Sequence, residues 1–396
     1  MVATIHRSSR RGSIVIGGVW GPGFGGNSTS SLVLQQAFEA AGFEVYGFGF
    51  CRDWKPGRPL ASKVGNHLEL HTRPFACHSE GIFHRSALKE WLCALQPAGI
   101  WIMNSRHVSA MPPGFPYILW EGTTWKDEID AGTEGLKLQH QKPGPGRMLH
   151  TLMRPLDRYS ERRALRGASI VAAMSNHTAK CIVEEHLAAV ESVRLLPHPP
   201  SNSFERLVGS IATYPQPERD FISVARWNDP RKGAILLTQA VIHLAARGEK
   251  YSWTIVGERA DRVAASLRVA GAEAAVGLAP DDGALIDLIR RHRYLVIPAF
   301  QEGFGITGIE AFHCMVPVVT TKCGGPEDYV EDGRTGFVGS VDGLGLADAL
   351  SRAAGLAEDS RKAMAQAAWR EATTRFSNRT FVDNVLRWTG SVFETA

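Results

Sequence analysis

The sequence has no stretch of about 20 consecutive apolar residues, the length that a membrane-spanning helix requires. Its first apolar segment, IVIGGVWG, is short and rich in glycine, unlike the core of a secretory signal peptide. The six cysteines include no C-x-x-C pair, so their spacing indicates neither a disulfide framework nor a zinc site. Together these absences predict a cytoplasmic globular protein.

The chain also has little net charge, +4 over 396 residues. The first 200 residues carry 22 lysines and arginines against 16 acidic residues, and the remainder carries 22 against 24. A basic excess this small and scattered argues against a nucleic-acid partner. It is compatible with a peripheral contact between the first half and an anionic partner or lipid headgroup, although an ordinary solvated surface explains it more simply.

What is present indicates two globular domains. A chain of 396 residues exceeds what one compact core usually holds. Short β-branched runs alternate with helical patterns, as in parallel sheets built from βαβ units, and this alternation begins at SIVIGGV and again at FISVA. We therefore predict an α/β protein with two doubly wound, Rossmann-like domains facing each other across a cleft. The first covers residues 1–205, the second covers residues 206–378, and a last helix over residues 379–396 is free to cross back to the first.

The first chemically suggestive segment is PAFQEGFGITGIEAF, residues 298–312. A predicted strand precedes it, so Glu302 lies at the carboxyl end of the strand and Glu310 lies about one turn inside the following helix. Gly303 and Gly305 allow the backbone to approach a ligand, and the free N–H groups of the helix start favour a phosphate. Either carboxylate alone fits an ordinary surface or helix-terminal charge, but the joint pattern indicates a binding site.

A second segment, RWNDPRKG, follows the predicted strand FISVA. Arg226 stands at the end of the strand and Lys232 opens the next helix. Two cations in these positions can grip a diphosphate and neutralise the charge that develops on it as a leaving group. Arg231 competes with Lys232 for this role.

A third segment, WGPGFGGNSTSS, contains Gly21, Gly23 and Gly26, which satisfy the pattern G-x-G-x-x-G. A dinucleotide-binding site also needs an acidic residue near the end of the second strand, and FEVYGFGF ends without one. A nicotinamide oxidoreductase is therefore the weaker alternative. We favour a loop in which Gly25 and Gly26 approach a phosphate or an acceptor, and a purely structural turn is the third interpretation.

Together these segments resemble the retaining, nucleotide-sugar-dependent glycosyltransferases of the GT-B fold, a superfamily that includes bacterial glycogen and sucrose synthases and the mannosyltransferases of glycolipid assembly. The resemblance is strongest from FISVARWNDPRKG to VPVVTTKCGGPEDYVEDGRTGFV, which follows the glutamate pair, and weaker similarity extends it over most of the chain. It implies an enzyme that transfers a sugar from a nucleoside diphosphate sugar to an acceptor hydroxyl with retention, UDP or GDP being the expected nucleotide. No metal or other cofactor is expected, in agreement with the absence of a D-x-D triplet. A non-catalytic nucleotide-sugar-binding protein of the same fold is the alternative.

The resemblance also implies roles for single residues. Glu310 would hold the nucleotide ribose and Glu302 the hydroxyls of the donor sugar, while Arg226 and Lys232 would clamp the diphosphate. The two cations are one residue further apart than is common in the superfamily, so Arg231 stays an alternative. The implied nucleotide-sugar-binding set further comprises Gly25, Gly26, Leu278, Gly303, Phe304, Gly305, Ile306 and Thr307.

One departure from the superfamily concerns the transferring carbon, beside which a histidine often follows a strand of the first domain. Here the comparable strand, YILW, runs into EGTTW, and the resemblance places Glu121 in that catalytic position. If the alignment is displaced, His67, His71 or His107 fills the role instead.

The acceptor is open between two classes. The segment TTWKDEIDAGTE sets acidic residues beside Trp125, a rim suited to a cationic amino sugar or aminocyclitol, although a solvated helix face is the simpler interpretation. These residues are Asp127, Glu128, Asp130 and Glu134. The basic first half instead favours a phosphorylated, lipid-linked acceptor. Both a small-molecule acceptor and a glycolipid or polysaccharide precursor therefore remain.

Overall fold

The computed structural model places two α/β units along the chain. It describes residues 12–18, 26–72, 78–139, 145–211 and 213–393, with the backbone alone for residues 26–28, 78–79 and 145–152. Each unit is built around one sheet whose strands are largely parallel. The predicted α/β class with two Rossmann-like domains is confirmed.

The first unit contains an eight-stranded sheet. Its strands are β1 (Ser13–Gly17), β2 (Glu44–Cys51), β3 (Ala61–Val64), β4 (His67–His71), β5 (Gly99–Met103), β6 (Ile118–Glu121), β7 (Ile170–Ala173) and β8 (Val193–Leu195). Their order is β3-β4-β2-β1-β5-β6-β7-β8, and every neighbouring pair except β3 and β4 is parallel. The helices are α1 (Gly26–Ala40), α2 (Arg85–Leu95), α3 (Trp125–Leu138), α4 (Pro145–Gly167) and α5 (Asn176–Glu184), with 3-10 helices at His78–His84, Ser105–Ala110 and Val190–Ser192.

Helix α6 (Asn202–Gly209) leads to the second unit, whose sheet has six parallel strands. These are β9 (Arg219–Val224), β10 (Ser252–Val256), β11 (Glu273–Gly277), β12 (His292–Ile297), β13 (Val318–Thr321) and β14 (Gly336–Gly339), in the order β11-β10-β9-β12-β13-β14. The helices are α7 (Ala234–Ala246), α8 (Ala260–Val269), α9 (Asp282–Arg290), α10 (Ile306–His313), α11 (Gly343–Ala354), α12 (Glu358–Arg375) and α13 (Asn378–Phe393). Two 3-10 helices lie at Pro230–Lys232 and Gly325–Asp328.

Continuous apolar runs explain why the central strands are where they are. Strand β5, with the sequence GIWIM, is buried at all five positions, and β12 is buried from Tyr294 onward. Burial on both faces is expected for parallel strands that helices cover on either side. Ligand-binding side chains therefore come from the loops that follow the strands, at the carboxyl edge of each sheet.

Helix α6 lies against the second unit. Ser201 caps this helix by accepting a hydrogen bond from the Phe204 N–H group, and its hydroxyl donates to Asp282 of α9 at 2.8 Å. The boundary predicted at residue 205 falls inside this helix. The sequence marks the linker by its prolines, but the packing partner of the helix comes from a segment far along the chain.

The last helix, α13, packs against the first unit. The indole Nε1 of Trp101 in β5 donates to the Thr389 hydroxyl at 2.9 Å, and both side chains are buried. Phe381 stacks at a tilt against Trp120 of β6, with 5.0 Å between ring centroids. The chain therefore closes its second sheet and then returns to cover the first.

No helix in the described part of the chain combines the length and the apolar content that crossing a lipid bilayer requires.

We predict that the substitution Thr389→Val, which keeps the shape of the side chain, lowers the free energy of unfolding by about 1–3 kcal/mol, because it leaves the buried Trp101 N–H group without an acceptor. The control is Thr374→Val, where the hydroxyl of an exposed threonine donates to a backbone carbonyl of α12, and it should change the free energy by less than about 0.5 kcal/mol. Urea denaturation followed by fluorescence measures both. Equal effects would show that the hydrogen bond does not hold α13 in place.

Candidate functional site

The loop after β12 is fixed by hydrogen bonds to the loop after β13. The Glu302 N–H group donates to the Cys323 carbonyl at 2.8 Å, and the Gly325 N–H group donates to the Glu302 carbonyl at 2.8 Å. Gly305, with a φ of +79°, precedes the first residue of α10, and its carbonyl accepts a hydrogen bond from the Tyr329 hydroxyl. The loop therefore holds the Glu302 side chain and the amino end of α10 at one edge of the sheet.

The structure brings the predicted Glu302 and Lys232 together. The Lys232 Nζ atom lies 2.6 Å from the Glu302 Oε1 atom, and the two side chains are 15% and 16% exposed. Lys232 is held there by Gly233, which has a φ of +70° and where a Cβ would lie 1.6 Å from the Pro298 carbonyl oxygen. Only glycine allows this approach. The pair is largely removed from water, so each charge neutralises the other.

Arg231, the alternative to Lys232, is engaged by other groups. Its guanidinium lies 2.7 Å from an oxygen of Asp229, 3.2 Å from a carboxylate oxygen of Glu128, and 3.1 Å from the Gln301 side-chain oxygen. Burial alone would raise the pKa of Asp229, but the hydrogen bonds and charge of Arg231 hold it below its ordinary value. Because Glu128 belongs to the first unit, Arg231 joins the two units and is less available to a ligand than Lys232.

Arg226 is the cation with the weakest protein contact of the three. Its guanidinium is 48% exposed, and its nearest acidic oxygen, on Asp229, is 3.8 Å away. The residue follows β9 at the same carboxyl edge as Glu302. An anion entering this edge would therefore meet a charge that the protein itself satisfies only in part.

Glu310 lies on α10 and is half-buried. Burial and the nearby charge of Asp282 raise the pKa of its carboxyl to about 7. Within the described residues its carboxylate makes no hydrogen bond or ion pair. A half-buried carboxylate in this state is costly unless a ligand supplies donors, and hydroxyl groups are suitable donors.

The remaining predicted donor-site residues of the second unit lie around the start of α10. Ile306 and Thr307 form its first turn and are half-buried, whereas the Phe304 ring is buried against Tyr329, so only its backbone can face a ligand. Leu278 follows β11 and is exposed. The predicted Gly25 lies outside the described residues, and Gly26 is the first residue of α1.

At Gly303 the backbones of the two units approach each other closely. A Cβ on Gly303 would lie 2.0 Å from the carbonyl oxygen of Gly122, the residue that follows β6. The same oxygen accepts a hydrogen bond from the Thr178 hydroxyl at 2.7 Å. Glu121 and Glu302 each precede one of these two glycines along the chain.

Glu121 is the last residue of β6 and is 1% exposed. Burial, followed by the charge of Glu161, raises the pKa of its carboxyl to about 8, although one carboxylate oxygen accepts a hydrogen bond from the Ser105 N–H group at 2.7 Å. A carboxyl with this pKa carries a proton at neutral pH and can donate a hydrogen bond. Glu121 can therefore donate a hydrogen bond, as could the histidine that the family resemblance leads one to expect at this position.

The three histidine alternatives differ in position. His107 follows β5 and is buried, with its Nδ1 atom 2.8 Å from the Met103 carbonyl and its ring stacked on Phe50. His67 opens β4, at the amino end of a strand, and His71 closes the same strand. Four strand steps separate β4 from β6, roughly 19 Å, so neither of these two lies beside Glu121.

The acidic residues of α3 are only partly a solvated rim. Asp127 accepts a hydrogen bond from the Gln301 amide at 2.9 Å, and Glu128 pairs with Arg231. Asp130 and Glu134 stay on the surface, where they pair with neighbouring basic side chains. Half of the predicted acceptor rim therefore contacts the second unit, because the first turn of α3 points toward the loop that carries Glu302.

Two features of the site have no clear signal in the sequence. Gln301 bridges the units through Thr123 and Asp127 on one side and Arg231 on the other. Glu161, on α4, is buried beside Glu121 and accepts a hydrogen bond from the Trp125 N–H group, and its burial raises the pKa to about 7. Both depend on contacts between distant segments that no local motif announces.

We predict that Arg231→Met lowers the free energy of unfolding by about 3–5 kcal/mol, because it leaves the largely buried Asp229 carboxylate without its cation. Arg226→Met is the matched control, since its exposed guanidinium makes only a long contact to the same acid, and it should cost less than about 1 kcal/mol. Denaturant unfolding of both variants measures the difference. A small effect at Arg231 would mean that its charge is free for a ligand and that Lys232 is the structural partner.

Comparison with known proteins shows that the second unit is similar to glycosyltransferases. Residues 218–355, which contain β9 to β14, match the family described as Glycosyl transferases group 1. A GDP-mannose-dependent alpha-(1-6)-phosphatidylinositol monomannoside mannosyltransferase of Mycolicibacterium smegmatis is 30% identical over 238 residues, which are 54% of this chain and 59% of the relative. The chain thus spans less than two thirds of that relative.

Solved structures resemble the chain over nearly its whole length. Sucrose-phosphate synthase from Thermosynechococcus elongatus superposes with a TM-score of 0.73 and 16% identity, covering 98% of this chain and 100% of that one. Anabaena HepE, solved in complex with UDP and glucose, superposes with a TM-score of 0.63 and 15% identity over 96% of this chain and 99% of that one. The chain therefore has the GT-B fold, and its match to the family described as Glycosyl transferases group 1 covers residues 218–355 of the second unit.

Proposed function

We propose that the protein is a glycosyltransferase that moves a sugar from a nucleoside diphosphate sugar to an acceptor hydroxyl, with retention of anomeric configuration and without a metal. The observation that carries this proposal is the convergence of Arg226, the Lys232–Glu302 pair and the amino end of α10 at one edge of the second sheet. Glu310 lies on the same helix and has no hydrogen-bond or ion-pair partner among the described residues. A diphosphate supplies the missing negative charge at this edge, and sugar rings supply the missing hydroxyl donors.

The diphosphate is assigned to the start of α10. Backbone N–H groups of the first turn and the helix dipole favour an anion there. Arg226 and Lys232 stand at the same edge, where their charge stabilises the diphosphate most strongly as it becomes the leaving group. When the donor binds, Lys232 and Glu302 each also contact the ligand: the lysine contacts a phosphate, and Glu302 contacts sugar hydroxyls.

The reaction breaks the bond between the anomeric carbon and a diphosphate oxygen and forms a bond from that carbon to the acceptor oxygen. The acceptor hydroxyl loses its proton, and the departing diphosphate oxygen is the nearby base able to take it. Attack on the face from which the diphosphate leaves gives retention. Glu121, with a pKa of about 8, can donate a hydrogen bond to a sugar hydroxyl at neutral pH, and this positions the ring without placing a second negative charge beside Glu302.

The comparisons favour particular substrates. The mannosyltransferase relative is named as using GDP-mannose, and HepE was solved with UDP, which supports a UDP- or GDP-sugar donor. The same relative is named for a phosphatidylinositol mannoside acceptor. Because Asp127 and Glu128 are engaged by the second unit, the acidic rim gives less support to a cationic acceptor. We therefore place a hydroxyl-rich small molecule or glycolipid precursor first and an aminocyclitol second.

The donor can be identified by thermal shift with UDP-, GDP-, dTDP- and ADP-sugars, because a ligand that binds only the folded chain raises its melting temperature. With that donor, Arg226→Ala should lower kcat/KM for transfer or donor hydrolysis about 10²–10³-fold while the fold survives, because a cation aimed at the leaving group is lost. Arg247→Ala is the control and should leave the rate unchanged, since this arginine directly follows α7 and pairs with Asp348 of α11.

An unchanged rate in Arg226→Ala would contradict the assigned diphosphate site. Donor binding without hydrolysis or transfer, across a broad acceptor panel, would instead favour the non-catalytic alternative. A product whose anomeric configuration differs from the donor's would contradict retention.

Donor affinity should depend on pH through Glu310. Its folded pKa of about 7 means that the carboxylate, the form that accepts hydrogen bonds from ribose hydroxyls, is present above pH 7 and is lost as the pH falls below it. The dissociation constant of the donor should therefore rise by up to tenfold per pH unit below about 7. Titration calorimetry between pH 5.5 and about 8.5 measures this. Glu310→Gln should bind the donor more weakly at high pH and lose the pH dependence; a variant that keeps the wild-type slope would remove Glu310 from the ribose site.

A further inference from the structure

Three potential metal ligands converge where α3 and α5 of the first unit meet the second unit. The Asp127 Oδ2 atom lies 2.9 Å from the His177 Nε2 atom, and the Cys181 Sγ atom lies 3.6 Å from the same nitrogen. All three ligand atoms lie within 4.8 Å of one another. We call this group the α3–α5 triad.

The geometry of the triad suits a tetrahedral metal ion. Zinc binds carboxylate, imidazole and thiolate ligands at about 2.0–2.3 Å, which puts neighbouring ligand atoms roughly 3.2–3.8 Å apart in a tetrahedron. His177 and Cys181 are four residues apart on α5, so both project from one face of the helix. Asp127 comes from the first turn of α3. Two of the three ligand distances, 2.9 Å and 3.6 Å, lie within a few tenths of an ångström of these values, and the third is no longer than 4.8 Å.

The ligand types indicate which ion fits. A thiolate and an imidazole select zinc and similar transition metals over magnesium or calcium, which prefer oxygen. A second group, formed by Cys51, Glu69 and His71, is less suited. Both ring nitrogens of His71 are already engaged, one by Asp53 at 2.8 Å and the other by Ser62 at 2.7 Å. The Nε2 atom of His177 instead contacts the other two members of the group, the Asp127 carboxylate and the Cys181 sulfur.

We propose that the α3–α5 triad is a zinc site whose occupation competes with the contact between the two units. The metal replaces the proton that His177 shares with Asp127, and Cys181 binds as the thiolate. Three protein ligands leave one tetrahedral position for water or a ligand from solution. No residue of this site belongs to the diphosphate or ribose contacts proposed above.

The competition follows from what covers the triad. A Cβ at Gly324, in the second unit, would lie 2.6 Å from the His177 Cδ2 atom and 3.0 Å from its Nε2 atom, so the Gly324 backbone stands over the ligand atom. Gln301 donates to the Asp127 oxygen that the metal would use. A zinc ion with its fourth ligand therefore needs the space beside His177 that Gly324 fills. It also needs the Asp127 oxygen that accepts a hydrogen bond from Gln301. Since Gln301 precedes Glu302, occupation of the triad disturbs the donor site; this consequence rests on the proposed function, and the metal site does not.

Metal binding can be tested without any assay of activity. The full chain is dialysed against buffered Zn²⁺ and its metal content measured, and Co²⁺ is added separately to detect the absorption band of a cobalt–thiolate bond. We expect one ion per wild-type chain, and at least a tenfold weaker affinity in both Cys181→Ser and His177→Ala. Cys51→Ser, in the second group, should keep the wild-type affinity and the cobalt band. The site is overturned if Cys51→Ser loses the ion while Cys181→Ser keeps it. It is also overturned if the wild-type chain binds zinc no more tightly than Cys181→Ser does.

The competition is tested by donor binding in the presence of zinc. Zinc should weaken the affinity of the wild-type chain for its donor over the same concentration range that fills the site, and this sensitivity should be absent in Cys181→Ser. Zinc that binds the triad without changing donor affinity overturns the competition while the metal site stands. A chain that binds zinc at the triad but no nucleotide sugar contradicts the proposed function and leaves the metal assignment intact.

Discussion

The site depends on one close approach of two backbones, between Gly122 after β6 and Gly303 after β12. A side chain at Gly303 would collide with the Gly122 carbonyl, so only glycine lets the two loops touch. This contact brings the end of β6, where Glu121 lies, against the loop of the second unit that carries Glu302. The polar contacts around it, from Gln301 to Thr123 and from Arg231 to Glu128, close over the same junction. A cleft between two parallel sheets becomes a chemical site because their carboxyl edges can meet at this distance.

Charge at the junction is balanced almost pair by pair. Arg231 is satisfied by acids from both units and Lys232 by Glu302, as charges with little exposure to water require. Arg226 and Glu310 depart from this rule in opposite senses, one a cation with a single long contact and the other a half-buried acid without a partner among the described residues. An anion beside Arg226 and hydroxyl groups beside Glu310 would complete the balance. A nucleotide carries both groups in one molecule, which is the physical reason for preferring it to a ligand with only one of them.

The sequence predicts well whatever is local. Buried strands such as GIWIM are marked by continuous apolar runs, and the strand, turn and helix around Glu302 follow from glycines and periodicity within residues 292–313. The sequence also indicates that Lys232 and Arg231 compete, but not which one joins the units, because that depends on Glu128 more than one hundred positions earlier. The acidic segment of α3 is misjudged for the same reason: periodicity shows a polar face, and only the fold shows that a second domain covers half of it. The glycine-rich segment before α1 lies largely outside the described residues, so its role stays a prediction.

The two glutamates on either side of the glycine turn are in different electrostatic states, and this explains why the motif needs both. Glu302 lies in an ordered loop with one carboxylate oxygen 2.6 Å from the Lys232 Nζ atom, while burial and the charge of Asp282 raise the pKa of Glu310 to about 7. In the proposed function, exchanging the two environments would place an unpaired carboxylate next to the diphosphate and leave Glu302 without its counter-ion. The intervening residues form the turn and the first turn of α10, whose N–H groups lie between the acids. The motif therefore sets the N–H groups of the helix start between the two carboxylates. A phosphate bound to these N–H groups would contact neither carboxylate directly.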